Sequence, residues 1–417
     1  MRTPQRRIPD FKATVLTVAL ATATWLLGTA NVTADDWPQW RGPHRDGKAT
    51  GFKAPEKWPE QLTQKWKVVV GVGDSSPALV GDKVYVFGRQ EADEVVQCLD
   101  LATGKAVWEN RYPAGHVVTG PPARHPGTRS SPTIADNRLC TLGVGGILSC
   151  LDAQTGKVLW RKQSTDDYQG IPYKSDTAMS PLLEDGMCLV HVGGKTNGAI
   201  IAFDLASGSA KWKWTGDGPA FSSPVTMTLG STKQLVTLTA KSVVGLSLAA
   251  GKQLWQIPFE AAQGNNTTPI ISGPAVIYTG QGKGMFAIRI DGKDGDFTAT
   301  ALWTNKTLGA RFTTPVLKDG LLYGYNGHFF CANAQTGATL WEDATNRGNS
   351  AALVDAGPVI LALTVNSELT AFKASDKDFV QLAHFKVAEA ETWAHPIVAG
   401  NRVLIRDRES VALWTIE

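Results

Sequence analysis

The chain has 417 residues, 43% of them apolar, and a formal net charge of +3, which is the composition of a globular protein with a large core. The first 34 residues contain four basic residues and one acidic residue, so they account for the whole excess of positive charge. The rest of the chain is therefore close to neutral, which argues against nucleic acid or an anionic lipid surface as its main partner.

Residues 1–34 are predicted to be a signal peptide. A basic start precedes an apolar stretch at 13–28, and the small residues Val32-Thr33-Ala34 stand before a cleavage point at Asp35. A run of about 16 apolar residues is short for a membrane span, which needs about 20, although an uncleaved anchor is the alternative. The sequence thus predicts a periplasmic or secreted protein with no membrane span after signal cleavage.

Residues 35–61 form an N-terminal arm that matches no repeat and contains Trp37, Pro38, Trp40 and Pro43. We expect its aromatic rings to pack against the rest of the chain as a cap. A direct role in ligand binding is the alternative.

The remainder, residues 62–417, is built from one repeating unit, which is most complete in RSSPTIADNRLCTLGVGGILSCLDAQTGKVLW at 129–160. Ser131-Pro132 opens a first strand, because proline suits the first residue of a strand. Two more strands follow, and the tight turn Thr155-Gly156-Lys157 leads into a fourth. Four short antiparallel strands in one sheet form a propeller blade.

The two halves of this unit recur along the chain. The turn and its tryptophan recur as CLDLATGKAVW, CLDAQTGKVLW, AFDLASGSAKW, GLSLAAGKQLW and CANAQTGATLW, with a stretched copy at 287–303 and a degraded copy at 371–385. The opening motif recurs as Ser76-Pro77, Ser131-Pro132, Ser180-Pro181, Ser223-Pro224, Thr268-Pro269, Thr314-Pro315, Ser350-Ala351 and His395-Pro396. The seven steps average about 46 residues, which is in the range of propeller repeats.

The two ends of the repeat region are each incomplete. Residues 63–70 look like a fourth strand without the first three, and residues 392–417 supply three strands and stop. The sequence therefore predicts an all-β, eight-bladed β-propeller of four-stranded antiparallel blades, whose last blade is closed by the N-terminal strand. Seven blades is the alternative, should the degraded copy not form a blade.

The recurring tryptophans are predicted to be structural. Each is expected to lie between neighbouring blades, with its ring over the tight turn of the next repeat. Burying one indole removes about 200 Å² from water, worth at most about 5 kcal/mol. An aromatic platform for sugars is the alternative for these positions, which are Trp66, Trp108, Trp160, Trp212, Trp255, Trp303 and Trp341.

The five cysteines are an odd number, so they cannot all pair within the chain. Three of them occupy one repeat position that holds alanine or glycine in other copies, which indicates a slot for small core residues. A bridge between Cys140 and Cys150, which flank one hairpin, is left open. No spacing of the C-x-x-C type is present, and the sequence predicts no metal site.

The pattern A-x-D-x-x-T-G-K-x-x-W resembles the tryptophan-docking motif of the pyrroloquinoline-quinone-like (PQQ-like) β-propeller family, which includes quinoprotein alcohol dehydrogenases and the outer-membrane assembly factor BamB. The arm sequence DDWPQWRGPHRDG is similar to the opening segment of secreted members from planctomycete-type bacteria. The resemblance implies the fold strongly but the function weakly, because one fold hosts many sites. No cysteine lies near the cleavage point, which departs from the lipid attachment that the resemblance to BamB implies.

Propellers bind ligands where loops enter the innermost strands. Two of these loops are long: 109–128, with His116, Arg124 and His125, and 161–178, with Asp166, Asp167, Tyr168, Tyr173, Lys174 and Asp176. Residues three positions before the opening prolines should form a ring at one mouth of the channel; these are Asp74, Arg129, Ala178, Phe221, Asn266, Phe312 and Trp393. The predicted binding surface consists of Arg129, Asn266, Arg311, Arg347, Trp393 and His395.

The resemblance also implies what an enzyme of this family requires, namely calcium held by Glu, Asn and Asp beside the quinone, and a carboxylate base. No motif here carries that set, adjacent cysteines are absent, and Asp291–Asp296 reads as a hairpin turn rather than a calcium loop. The leading hypothesis is a monomeric, non-catalytic scaffold without a cofactor that binds an envelope protein or a polysaccharide. The alternatives are a dehydrogenase that uses PQQ and calcium, and a carbohydrate-binding accessory module.

Overall fold

The computed structural model describes Met1 and residues 36–115, 121–163, 178–194, 198–262 and 264–417. Val32–Glu417 forms one compact unit. Apart from Met1, the predicted signal peptide lies outside the described residues, and so do His116 and the candidate residues between Asp166 and Asp176. Among the described residues, no helix has the length and apolar character needed to cross a membrane.

Within the residues that the structure describes, 32 strands form eight four-stranded antiparallel sheets, one per blade. In blades 1 to 4 the strands are β2 Ala78–Val80, β3 Lys83–Gln90, β4 Asp93–Asp100, β5 Ala106–Pro113; β6 Thr133–Ala135, β7 Arg138–Leu142, β8 Ile147–Asp152, β9 Val158–Gln163; β10 Leu182–Glu184, β11 Met187–Gly193, β12 Gly198–Asp204, β13 Ala210–Gly216; and β14 Val225–Leu229, β15 Thr232–Leu238, β16 Ser242–Ser247, β17 Gln253–Pro258. A short 3₁₀ turn, Pro121–Arg124, follows blade 1.

The strands of blades 5 to 8 complete the ring. They are β18 Ile270–Ser272, β19 Ala275–Gly280, β20 Gly284–Lys293, β21 Asp296–Asn305; β22 Val316–Lys318, β23 Leu321–Tyr325, β24 Phe329–Asn333, β25 Thr339–Glu342; β26 Ala351–Asp355, β27 Val359–Thr364, β28 Glu368–Lys373, β29 Gln381–Lys386; and β30 Ile397–Ala399, β31 Arg402–Arg406, β32 Ser410–Thr415, joined by β1 Thr63–Val69. Each blade runs from a short inner strand to an outer strand.

The eighth blade closes the ring as predicted. Its strand order is β1-β32-β31-β30, and Trp66 of β1 lies opposite Leu413 of β32. The buried Arg406 guanidinium adds a second link between the ends, because its Nη1 donates to the Ser75 carbonyl at 3.0 Å and to the Phe87 carbonyl at 2.6 Å. The eight-bladed prediction is therefore confirmed, and the seven-bladed alternative is excluded.

The small-residue slot has a structural cause. In blade 1, Cys98 on the third strand lies directly opposite Trp108 on the fourth, and a bulge follows at once between Cys98 and Leu99. Cys150 and Trp160 repeat this arrangement in blade 2. A large residue at the slot would compete with the indole for the same space, so the slot holds only small side chains. All five cysteines are buried, and all are free thiols, so Cys140 and Cys150 are not bridged.

Five indoles share one arrangement between neighbouring blades: Trp66, Trp108, Trp160, Trp212 and Trp303. Each donates its Nε1–H to a backbone carbonyl of the next blade, at 2.8 to 3.1 Å. Each ring also covers the glycine of the next tight turn; a Cβ on Gly104, for example, would lie 2.8 Å from the Trp66 ring. Glycine is thus required there both by its positive φ of 69° and by the indole above it. Trp341 makes the same hydrogen bond, to the Ser375 carbonyl of the next blade at 2.9 Å, but the turn beneath it has no glycine.

Trp255 departs from this arrangement. Its Nε1 donates to Gln234 Oε1 of its own blade at 2.7 Å, and its ring lies against Gly245 of the same blade. The next blade has no tight turn at this position, because β20 and β21 are each ten residues long and form an extended hairpin. Phe297 of that hairpin packs in the same core cluster as Trp255. The expectation that Trp255 lies over a neighbouring turn is therefore wrong.

Candidate functional site

The opening motifs form a hydrogen-bonded belt around the channel. Backbone N–H groups donate to hydroxyl oxygens of the next blade, from Ser76 to Ser131 at 2.9 Å, from Ser131 to Ser180 at 3.0 Å and from Ser180 to Ser223 at 3.0 Å. The same bond joins Thr268 to Thr314 at 2.9 Å and His395 to Ser76 at 2.8 Å. A hydroxyl at this position therefore has a physical role: it satisfies a buried N–H that the short inner strand leaves unpaired.

On one side of this belt, segments just before the opening motifs bring five side chains together. The His125 ring meets the edge of the Trp393 indole at 5.3 Å between centroids, and the Phe312 ring meets that indole at 5.7 Å. His125 Nδ1 lies 2.9 Å from Asp74 Oδ2, and Arg129 Nη2 donates to the His125 carbonyl at 2.8 Å. We call Asp74, His125, Arg129, Phe312 and Trp393 the mouth cluster.

Charge at the mouth is mixed. The Arg311 guanidinium lies 4.6 Å above the Phe312 ring, and the Trp393 Nε1–H donates to Glu391 at 2.9 Å. The hydrogen bond to Asp74 raises the pKa of His125 above its ordinary value, so this ring holds a proton more readily than an exposed histidine. The mouth therefore presents half-buried aromatic rings beside the cations of Arg129 and Arg311.

The predicted surface is only partly assembled by the structure. Arg129, Trp393 and Arg311 lie at the mouth, and Asn266 is half-buried. Arg347 instead pairs with Asp343 and lies over the Phe329 ring at 4.9 Å, away from the cluster.

His395 is also placed elsewhere. It is 2% exposed, and its Nε2 lies 3.0 Å from the Leu353 carbonyl. Its ring packs against Trp37 at 5.9 Å and Trp40 at 5.7 Å, so it supports the arm instead of lining the mouth.

The arm lies inside the ring of inner strands, at the opposite side of the belt. Trp37 forms an isolated bridge with Leu79 of blade 1, with N–H···O distances of 2.7 and 2.9 Å. Ile134 N–H donates to the Pro38 carbonyl at 2.9 Å, which adds blade 2, and the Trp40 Nε1–H donates to Thr268 Oγ1 at 3.1 Å, which adds blade 5.

Further along, the arm reaches the remaining blades. Ala49 N–H donates to the Asp355 carbonyl of blade 7 at 2.8 Å, and Arg41 and Arg45 bond to blades 3, 4 and 6. With His395 of blade 8, the arm therefore contacts all eight blades. It is a plug within the channel, a closer association than the expected cap.

The chain is similar in sequence to known proteins. The sequence profile of the family described as "Outer membrane protein assembly factor BamB" matches residues 92–343, more than half of the chain. The chain belongs to the BamB family of PQQ-like β-propellers. The BamB of Burkholderia pseudomallei is 24% identical over 363 residues, covering 82% of this chain and 85% of that protein.

Solved structures of the same fold include both branches that the sequence resembles. BamB from Moraxella catarrhalis aligns over 85% of this chain and 98% of its own, with a TM-score of 0.63 and 15% identity. Quinohemoprotein alcohol dehydrogenase from Comamonas testosteroni aligns over 93% of this chain and 81% of its own, with a TM-score of 0.66 and 14% identity. At this identity the two likenesses describe the fold alone.

The described carboxylates of the mouth have partners within it. The carboxylates of Asp74 and Glu391 each face an N–H or a ring nitrogen of the cluster. Among the described residues, no three His, Cys, Asp or Glu side chains come together as metal ligands.

Several residues of the two sites escaped selection from the sequence. Asp74 and Phe312 belong to the predicted ring of loop residues, and His125 to a long loop, but none of the three was included in the predicted binding surface. Arg41 and Arg45 flank Gly42-Pro43-His44 in the arm, where the prediction considered only the aromatic and proline residues.

Proposed function

We propose that this protein is an exported, non-catalytic propeller that binds another protein of the cell envelope through the mouth cluster. The family match over residues 92–343 supports a scaffold role in the envelope. Export rests on the predicted signal peptide at 1–34.

The observation that carries the proposal is the asymmetry of the channel. Its arm end is filled by the chain's own residues, whereas the mouth presents half-buried side chains from blades 1, 2, 6 and 8. Trp393 lies at the centre of that group, in contact with both His125 and Phe312. Tryptophan and arginine are the residue types that most often dominate the energy of protein interfaces.

The proposal predicts that a partner is lost on changing the mouth. Capture of the envelope proteins that bind the wild-type protein should fall at least tenfold with Trp393→Ala, and by a smaller factor with Arg129→Ala. Trp393→Phe should retain part of the binding, because a ring still meets His125 and Phe312. Arg111→Ala, on the exposed outer strand β5, is the matched control and should capture the same partner as wild type.

Three results would oppose the proposal. An identical partner set for wild type and Trp393→Ala, with both proteins folded, removes the mouth as the docking surface. A bound chromophore and dye-linked alcohol oxidation after adding PQQ and calcium would favour the dehydrogenase instead. Retention on a polysaccharide column, lost with Trp393→Ala, would favour the carbohydrate-binding module.

A further inference from the structure

The plug is held by two arginine side chains that are buried in the channel. The Arg41 Nη1 donates to the Thr314 carbonyl at 2.8 Å, and its Nη2 donates to the Pro315 carbonyl at 3.0 Å and the Asp46 carbonyl at 3.1 Å. Its Nε–H points at the Arg45 carbonyl at 3.4 Å. The guanidinium is thus surrounded on all its donor edges.

Arg45 occupies a second site of the same kind. Its Nη1 donates to the Ser180 carbonyl at 3.3 Å and the Pro224 carbonyl at 3.0 Å, and its Nη2 donates to the Pro181 carbonyl. Its Nε–H donates to Gln39 Oε1 at 2.8 Å. Both sites are therefore built from the carbonyls of the opening motifs, which lie at the unpaired inner edge of each blade.

Neither guanidinium is neutralised by a bonded carboxylate among the described residues; every oxygen that either one bonds is a carbonyl or an amide. Burial lowers the pKa of Arg41 to about 10 and that of Arg45 to about 9, partly offset by Asp46 and Glu184 respectively. Both groups remain charged at neutral pH. The channel thus holds two cations by geometry and carbonyl dipoles rather than by opposite charge.

The backbone of the plug is shaped for the same two sites. Arg41 and Arg45 both take positive φ values, 60° and 57°, a left-handed backbone conformation that is strained for a non-glycine residue. Gly42 lies under the Trp37 indole, where a Cβ would be 3.3 Å from the ring. The strained turn places both guanidinium groups in their sites. We infer that their hydrogen bonds dominate the association of the arm with the blades.

We propose that the channel is a binding site for a peptide bearing two arginines four positions apart, filled in this protein by its own residues 36–50. Recognition depends on the guanidinium groups and the turn between them, and not on the covalent link to blade 8. The same segment presented in trans, as a free peptide or from a second copy of the chain, then occupies the channel whenever the chain's own arm is absent from it.

Arginine is required because of donor geometry. Each site uses Nε–H and both Nη groups toward oxygens in different directions, and lysine offers one ammonium in place of that planar fork. Arg41→Lys or Arg45→Lys should therefore behave almost like the alanine variants. Comparing the lysine variants with the alanine variants therefore distinguishes recognition of a guanidinium group from a general need for positive charge.

The first experiment uses the full chain and a small probe. In Arg45→Ala, ethylguanidinium at millimolar concentration should raise the melting temperature by several degrees, because it fills the vacated site and binding stabilises the folded state. The exposed Arg111→Ala variant is the matched control and should show no rise. Ethylammonium should fail with both variants. Equal effects of ethylguanidinium on Arg45→Ala and Arg111→Ala would overturn the proposal.

The second experiment tests the peptide in trans. A protease site inserted in the exposed stretch around Glu56 and Lys57 allows the arm to be cut from an already folded chain. After cleavage, a fluorescent peptide of residues 36–50 should exchange into the channel, giving a rise in anisotropy that unlabelled peptide reverses. The same peptide with Arg41→Lys and Arg45→Lys should bind at least a hundredfold more weakly.

The outcomes of this second test separate the possibilities. Exchange of the arginine peptide but not the lysine peptide supports the proposal. Equal binding of both peptides would overturn it, and so would no exchange while circular dichroism shows an intact propeller. If the cut protein unfolds as the arm leaves, addition of excess arginine peptide must restore the fold, and a failure to do so also overturns it.

Discussion

The two ends of the channel differ in the kind of contact that forms them. At the arm end, Arg41, Arg45 and the arm backbone bond to main-chain carbonyls and N–H groups of the blades, and the residues are buried. At the mouth, side chains such as His125 and Trp393 contact one another and remain half-exposed. The contrast shows that one end is fixed by buried main-chain hydrogen bonds, whereas the other leaves its side chains partly exposed.

The largest effect is expected at the arm end. Arg45→Met leaves the carbonyls of Ser180, Pro181 and Pro224 without their donors, and we expect a loss of about 3 kcal/mol in the free energy of unfolding. Urea titration is the measurement, because guanidinium chloride contains the very group that the site binds. Arg111→Met, on the surface, should change stability by less than about 0.5 kcal/mol; similar losses in both variants would contradict the comparison.

A second effect concerns acid stability, through His395 under the arm. Burial and Arg41 lower the pKa of this histidine to about 3, below the ordinary value of 6.5. A folded-state pKa below the unfolded one means that the contribution is complete above pH 6.5 and is lost as the pH falls toward 3. By pH 5 the loss should be about 2 kcal/mol.

The control for this prediction is His395→Asn, which has no titrating ring. Unfolding free energies measured from pH 7 to pH 4.5 should fall less steeply in this variant than in wild type, whatever its stability at pH 7. Parallel curves for the two proteins would show that His395 is not the titrating group.

The belt that separates the two ends gives a smaller effect. Ser131→Ala removes the oxygen that accepts the buried Ser76 N–H, and we expect a loss of about 1 kcal/mol. Ser130 is an adjacent buried serine whose Oγ has no hydrogen-bond partner among the described residues, so Ser130→Ala is a closely matched control and should be near neutral. Urea unfolding of the pair isolates the bond, and equal losses would argue against the belt.

The smallest effect belongs to the mouth and has the opposite sign in pH. The pKa of His125 is raised, chiefly by its hydrogen bond to Asp74, so its contribution is complete below pH 6.5 and is lost as the pH rises through the raised value. A ring-proton titration by NMR should give a midpoint above 6.5 in wild type and a return toward 6.5 in Asp74→Asn. An unshifted midpoint in wild type would contradict the prediction that the pKa of His125 and the pKa of His395 are shifted in opposite directions.

The architecture was predictable because short sequence motifs recur along the chain. The Ser-Pro openings and Thr-Gly-Lys turns mark strand ends wherever they occur, and the incomplete strand around Trp66 needed a partner at the other end of the chain. Trp255 was mispredicted because its environment depends on the next blade's hairpin, where Asp294 and Gly295 replace the usual tight turn. A local pattern could not reveal that dependence.

The two sites were less predictable for a related reason. Arg45 bonds to carbonyls 135 to 179 positions away, and a backbone carbonyl leaves no mark in the sequence. His395 and Trp393 stand two residues apart, yet one is buried beneath the arm and the other lies in the mouth cluster. Blade symmetry located the segments correctly but could not say toward which end each side chain points.

The pairing of β1 with β32 has a consequence for the order of events during folding. β1, which precedes the other strands in the sequence, can acquire its partner only after residues Ser410–Thr415 have been made. Until then the final blade is incomplete and the plug has no finished cavity to enter. Because pairing between such distant segments forms slowly, closure of the ring is expected to be a late step of folding.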